Sequence, residues 1–347
     1  FPAIGAGIAL MGMEIVNELG AVELLNIPSI SAGIRENWGI AGNPSGAIGL
    51  AMVALIIVMT LVAYERKLRS HSRRWTEGVA GGESPEWSLN GPRAYIAQLF
   101  AFIPPAITLG VPLIWAILNI DQVQQGVDPE LIELTIRSFG LALAAALVTL
   151  FAGLVLSLSK RWTTSNWIKI LSFLAGVGYA IPGAVLAIAL MPFTGSSWSL
   201  ITVIVLIWGY SIRFLLVAKG GLDAAFERMS PSLDEAATGL GCKWTEVLRK
   251  VHLPLLKGPL AVGALLVFVD TVKELPLTLV LRIPDFDTLS VRLFIYLKDE
   301  RIGESILPAL LIIFLGLIAS LALVPGLESK RFKANISSSE RIKSTIS

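Results

Sequence analysis

The sequence predicts an all-α fold, a polytopic bundle of transmembrane helices. Its 347 residues are 54% hydrophobic and only 16% charged, where an ordinary soluble domain is about 25% charged. The apolar residues gather into eight long runs, each near the roughly 20 residues that cross a hydrocarbon core about 30 Å thick. The runs do not alternate as barrel strands do. Helices are then the remaining way to satisfy backbone N–H and C=O groups in lipid.

In chain order the predicted spans are 2–22, 45–64, 96–118, 134–157, 168–190, 198–217, 258–280 and 304–325. Phe1 already lies in an apolar run, with no initiating Met or signal peptide, so we expect a chain that begins inside a longer protein. Charge between spans sets the orientation. Segments 65–95, 158–167 and 218–257 and the tail, with Lys169 just past the second, hold twenty Lys and Arg residues. The alternate loops 23–44, 119–133, 191–197 and 281–303 hold five: Arg35, Arg282, Arg292, Lys298 and Arg301. The basic set is therefore cytoplasmic. Arg137 and Arg213, near the ends of their spans, are expected to snorkel to the interface.

A shift of 256 positions aligns EIVNELGAVELLNIP (14–28) with DTVKELPLTLVLRIP (270–284), with six of fifteen residues identical. Parallel duplication is a recurring transporter architecture. The expected organisation is the last two spans of a first membrane domain (1–64), a cytoplasmic linker (65–95), a complete second domain (96–325, with its large loop at 219–257) and a cytoplasmic tail (326–347).

That loop is the most informative stretch. Ser230-Pro231 starts a helix. Ser232 and Glu235 have capping-box spacing, and Gly239 and Gly241 end the helix. Trp244, Val247, Leu248 and Val251 then form one apolar stripe, which Pro254 stops or kinks. The product is two short helices held out from the membrane. Within them Glu235, Ala236, Ala237, Gly241, Leu253 and Pro254, with Val251 in an Ile position, match E-A-A-x3-G-x9-I-x-L-P. This resembles the signature of ABC importer permeases. The resemblance implies the type I importer permease fold and a bacterial inner-membrane location. It also implies that these seven residues form a coupling knob docked on a cytoplasmic ATPase dimer, which moves the spans when ATP closes it. The chain has no phosphate-binding loop of its own. ATP and Mg would bind the partner, and no catalytic residue or cofactor is expected here.

The stretches 13–34, 178–190 and 269–296 are similar to the M-E-x-x-x-[DE]-[FL]-G, Y-[AS]-[VI]-P-G and [DV]-x-x-K-E-L-P patterns of the fused, two-domain ferric iron permeases. This implies ferric iron as substrate, delivered by a periplasmic binding protein. Permeases for thiamine, polyamines, sulfate or phosphonates share parts of these patterns, and one of those solutes is the alternative.

The residues allow a partial argument for a path. Ionisable groups at membrane depth face a cavity or a partner. Asp270, Lys273 and Glu274 share a helix face before Pro276, and Glu14 and Glu18 sit at matching places in the first copy. Carboxylates suit a hard cation, so a ring of these acids could receive one at the outer mouth. The competing reading makes Asp270 and Lys273 an intrahelical ion pair. Tyr179, Pro182 and Gly183 break a span, either as a gate or as a packed kink. A secondary transporter or membrane enzyme would need more polar residues at mid-membrane and no knob.

Other classes are excluded. A net charge of +2 implies no nucleic-acid partner, and Cys242, the one cysteine, allows no intrachain disulfide. His71 and His252 are too far apart in sequence to suggest a histidine metal site. Asn335-Ile336-Ser337 fits a glycosylation pattern but falls in the cytoplasmic tail.

Overall fold

The computed structural model describes residues 2–72, 90–163, 165–194, 200–282 and 286–322. Most of the expected linker, the tail 326–347, and the repeat positions Ile283 and Pro284 lie outside the described residues. All described secondary structure is helical.

In chain order the helices are α1 (Pro2–Asn17), α2 (Gly20–Leu24), α3 (Ile30–Arg35, running on into a π-turn), α4 (Pro44–Ser72), α5 (Pro92–Leu118), α6 (Ile120–Gln125), α7 (Glu130–Trp162), α8 (Asn166–Ala180), α9 (Gly183–Leu190), α10 (Leu200–Arg228), α11 (Ser232–Gly239), α12 (Trp244–Val247), α13 (Leu253–Val272), α14 (Pro276–Leu281), α15 (Leu289–Lys298) and α16 (Ile302–Ala322). Among the described residues, six helices are long and apolar enough to cross a membrane, counting α12 and α13 as one, or seven with the bent pair α8–α9.

Three expected spans are corrected. The run 168–190 is α8 and α9, bent by 113°. Pro182 supplies no N–H and stands extended as the N-cap of α9. The run 258–280 stops at Val272, because Pro276 cannot donate to that carbonyl. The run 2–22 stops at Asn17. There the Ala21 N–H donates to Glu18 Oε1 at 2.9 Å, which starts α2 as a new helix.

The two repeat copies share an order of elements. A long helix breaks, a short helix follows (α2 from Gly20, α14 from Pro276), then a helix capped by a hydroxyl, then a span. Ser29 accepts from the Ala32 N–H at 3.2 Å, and Thr288 from the Val291 N–H at 3.5 Å.

The helices form two compact units. The first gathers residues 1–135, 180–191 and 275–313. Its core sets Ala47, Ala51 and Ala54, one small-residue stripe on α4, against Ile34 of α3 and Ala184 of α9. Small residues let membrane helices approach closely. The second unit comprises the described residues among 136–179, 192–274 and 314–347, with α10 packed along α13. Gly178 faces the Ile212 carbonyl so closely that any Cβ would collide with it. Buried hydroxyls add polar contacts, Thr149 to Ser211 at 3.2 Å and Ser157 to Asp223 at 2.8 Å.

Candidate functional site

The loop after α10 does form a knob of two helices. α11 buries none of its residues. Glu235, Ala236, Leu240 and Gly241 are exposed and Ala237 is half-buried. Leu240 and Trp244 are 86% and 54% exposed. Leu240 lies between the candidate spans and Trp244 begins one of them, so these open apolar groups offer a surface at the cytoplasm-side end expected of that helix. Among the described residues the Glu235 carboxylate makes no ion pair. Gly241 turns the chain at φ +83°, a left-handed conformation that favours glycine.

Two local expectations are corrected. The capping box at Ser232 does not form. Pro231 is the N-cap, and the Ser232 N–H donates to Ser230 Oγ at 3.3 Å. Pro254 does not stop the second helix either. It lies in the first turn of α13, reached from α12 through a π-turn over Leu248–His252. The wider turn places Val247 and His252, five apart, on the buried side, instead of the expected stripe. Val251 and Leu253 are half-buried and Pro254 exposed.

His252 belongs to a cluster that the sequence reading missed. Arg161, at the end of α7, donates from Nε to Asp234 Oδ2 at 2.7 Å. Its other nitrogens donate to the carbonyls of Phe226, Met229 and Ser230 at 3.1–3.2 Å, where α10 ends. His252 Nε2 lies 2.9 Å from Asp234 Oδ1. His252 Nδ1 is buried with no hydrogen-bond partner among the described residues. Phe226 and Trp162 pack on the imidazole at ring distances of 5.4 and 5.8 Å. Burial pushes the Asp234 carboxyl up, but hydrogen bonds from Arg161 and His252, with their charges, outweigh it and hold the group below the usual carboxylate range.

The expected path residues fall at the helix breaks. In the first unit, Glu14 and Glu18 are exposed, Pro276 starts α14, and Pro182 and Gly183 are buried at the start of α9. In the second unit Tyr179 is half-buried, and Lys273 pairs with Asp270 at 3.1 Å, the intrahelical reading. Glu274 is buried, and its Oε1 lies 3.4 Å from Arg213 Nη1. Arg213 is 5% exposed, so it does not snorkel. Its charge is met inside the protein because α10 turns it towards the end of α13. Among the described residues no three His, Cys, Asp or Glu side chains gather as a metal site would need.

The five basic residues of the loops 23–44 and 281–303 each face a carboxylate within the first unit. Arg35 and Lys298 share Glu23, the second at 3.0 Å. Arg282 pairs with Asp287, and Arg292 with Glu130 at 2.9 Å and Asp287 at 3.3 Å. Arg301 bonds Glu304 at 2.7 Å. The positive charges that stand against the orientation rule are thus neutralised locally.

A helical bundle with a broken membrane-length helix and an exposed pair of short helices defines a multi-pass membrane protein. A model of the family described as "Binding-protein-dependent transport system inner membrane component" matches residues 149–324, about half of the chain, and the chain belongs to that family. It is 26% identical over 332 residues to the Fe(3+)-transport system permease protein FbpB 2 of Haemophilus influenzae. That similarity covers 90% of this chain and 63% of the relative, so the chain spans less than two-thirds of the relative's length.

Proposed function

We propose that this chain forms the translocation path of an ATP-driven importer for ferric iron. A periplasmic binding protein delivers the ion, and ATP and Mg act on a separate cytoplasmic ATPase dimer. The observation that carries the reading is the knob. Inside the family match, α11 presents Glu235 and Leu240 to solvent beside a glycine turn. Glu235 makes the polar contact with the ATPase groove, Ala236 and Ala237 allow close approach, and Gly241, Val251, Leu253 and Pro254 shape the knob. The iron assignment rests on the name of the similar permease.

The path passes the breaks at Tyr179, Pro182, Gly183 and Pro276 and the acids Glu14, Glu18, Asp270 and Glu274, with Lys273 paired beside them. Broken helices at membrane depth line paths because their free backbone groups need a polar cavity. We read 1–64 as part of a first membrane domain, 65–95 as a cytoplasmic linker, 96–325 as a second, complete membrane domain and 326–347 as a cytoplasmic tail.

The test is radiolabelled ferric iron uptake by cells expressing the full-length permease, its ATPase and its binding protein. Glu235→Arg should lose about tenfold or more of the uptake at equal membrane abundance. Wild-type cells that take up no iron would remove the substrate assignment, and equal uptake by the variant would remove the role of Glu235.

A further inference from the structure

We infer that Arg161 is the positioning residue of the knob, fixing α11 to the inner ends of α7 and α10 through Asp234 and His252. The inference rests on the coupling reading of the knob and names what makes its motion productive. An eight-residue helix that buries none of its own side chains, entered through Ser230-Pro231 and left through Gly241 at φ +83°, has no apolar core to fix its direction. Such a segment would swing about its two turns when pushed.

The polar cluster supplies what the core does not. Both oxygens of Asp234 are engaged, Oδ2 by Arg161 of α7 and Oδ1 by His252 of the π-turn before α13. The same guanidinium holds three carbonyls at the end of α10. Three helices, α7, α10 and α11, therefore meet on one planar group, and His252 joins them through Asp234. Its site is sheltered, since the Arg161 side chain is 11% exposed and that of His252 1%, with the Phe226 ring 5.7 Å from the guanidinium carbon. Shelter from water preserves the strength of charge-assisted hydrogen bonds. The fork geometry also matters. A lysine brings the charge but cannot span a carboxylate and three carbonyls at once.

The experiment uses the assembled transporter, permease with ATPase and binding protein, in lipid nanodiscs for hydrogen–deuterium exchange and in proteoliposomes for import. Arg161→Lys and Asp234→Asn should speed amide exchange in 232–240 about tenfold and leave 205–222 unchanged, a local opening rather than global unfolding. In the same variants iron imported per ATP hydrolysed should fall about tenfold. His252→Gln, which keeps an N–H donor towards Asp234, should stay near wild type in both. Unchanged exchange over 232–240 in both Arg161→Lys and Asp234→Asn, or wild-type import per ATP despite faster exchange, overturns the inference. Glu235→Arg separates this from the coupling reading. If it imports normally the coupling reading fails, while exchange in Arg161→Lys and Asp234→Asn still decides whether Arg161 positions α11.

Discussion

Replacing Arg213 with Met removes the cation that lies 3.4 Å from Glu274 and takes this countercharge from the carboxylate at a site where both side chains are 6% exposed. Breaking a buried pair by deleting one partner costs about 3–5 kcal/mol. Protonation of the acid caps the loss, since neutralising an ordinary carboxylic acid at pH 7 costs about 4 kcal/mol. The expected penalty is therefore about 3–4 kcal/mol at neutral pH, shrinking by up to about 1.4 kcal/mol for each unit the pH is lowered. For a unit of 150–250 residues that is a drop in melting temperature of about 6–15 °C. The assay is thermal unfolding in detergent, followed by the fluorescence of the nine tryptophans, for Arg213→Met, Glu274→Gln and the double variant at two pH values. The double variant should regain most of the loss, because no charge is left buried. If Arg213→Met melts within about 2 °C of wild type at both pH values, the two charges are not held together away from water and the reasoning fails.

Two other outcomes follow from the packing and the cluster. Gly178→Ala places a methyl group against the Ile212 carbonyl, so α8 must move off α10, at a cost of about 1–3 kcal/mol; a lowered melting temperature checks it, and an unchanged one refutes the close approach. Because the Asp234 carboxyl is held below its ordinary range, its contribution is complete above the unfolded value of about 3.9 and is lost as pH falls through the lowered folded value. Protection of 232–240, corrected for intrinsic exchange, should therefore be flat from about pH 5 upward and decline only in stronger acid. A loss centred near neutral pH would contradict this.

The spans were legible because bilayer thickness forces long apolar runs, and the knob because its motif falls in a basic loop. The prolines at 182 and 276 announced missing hydrogen bonds but not the size of the turns. A 113° bend depends on a buried place for α9 beside Ala47 and Ala51 of α4, which periodicity in one segment does not report. Arg161 read as one more positive-inside charge, and Arg213 as a snorkelling end. Their partners lie 73 and 61 residues away in sequence, and such pairings depend on how helices face one another. The π-turn was hidden for a related reason. Its five-residue spacing of Val247 and His252 imitates neither a helical stripe nor a loop.

The π-turn also sets how far a small movement at the knob can reach. Because Pro254 does not interrupt it, helix runs from Trp244 to Val272 for 29 residues, about 43 Å at 1.5 Å per residue. At one end is the surface proposed to meet the ATPase, and just past the other is Glu274. A rod of that length tilted by about 10° about its cytoplasmic end displaces its far end by about 7 Å, more than the width of a single unhydrated metal ion. Transport would then need no large rearrangement inside the membrane. A tilt of that size at the inner face, carried along one continuous helix, would be enough to part or close the contacts at the outer break.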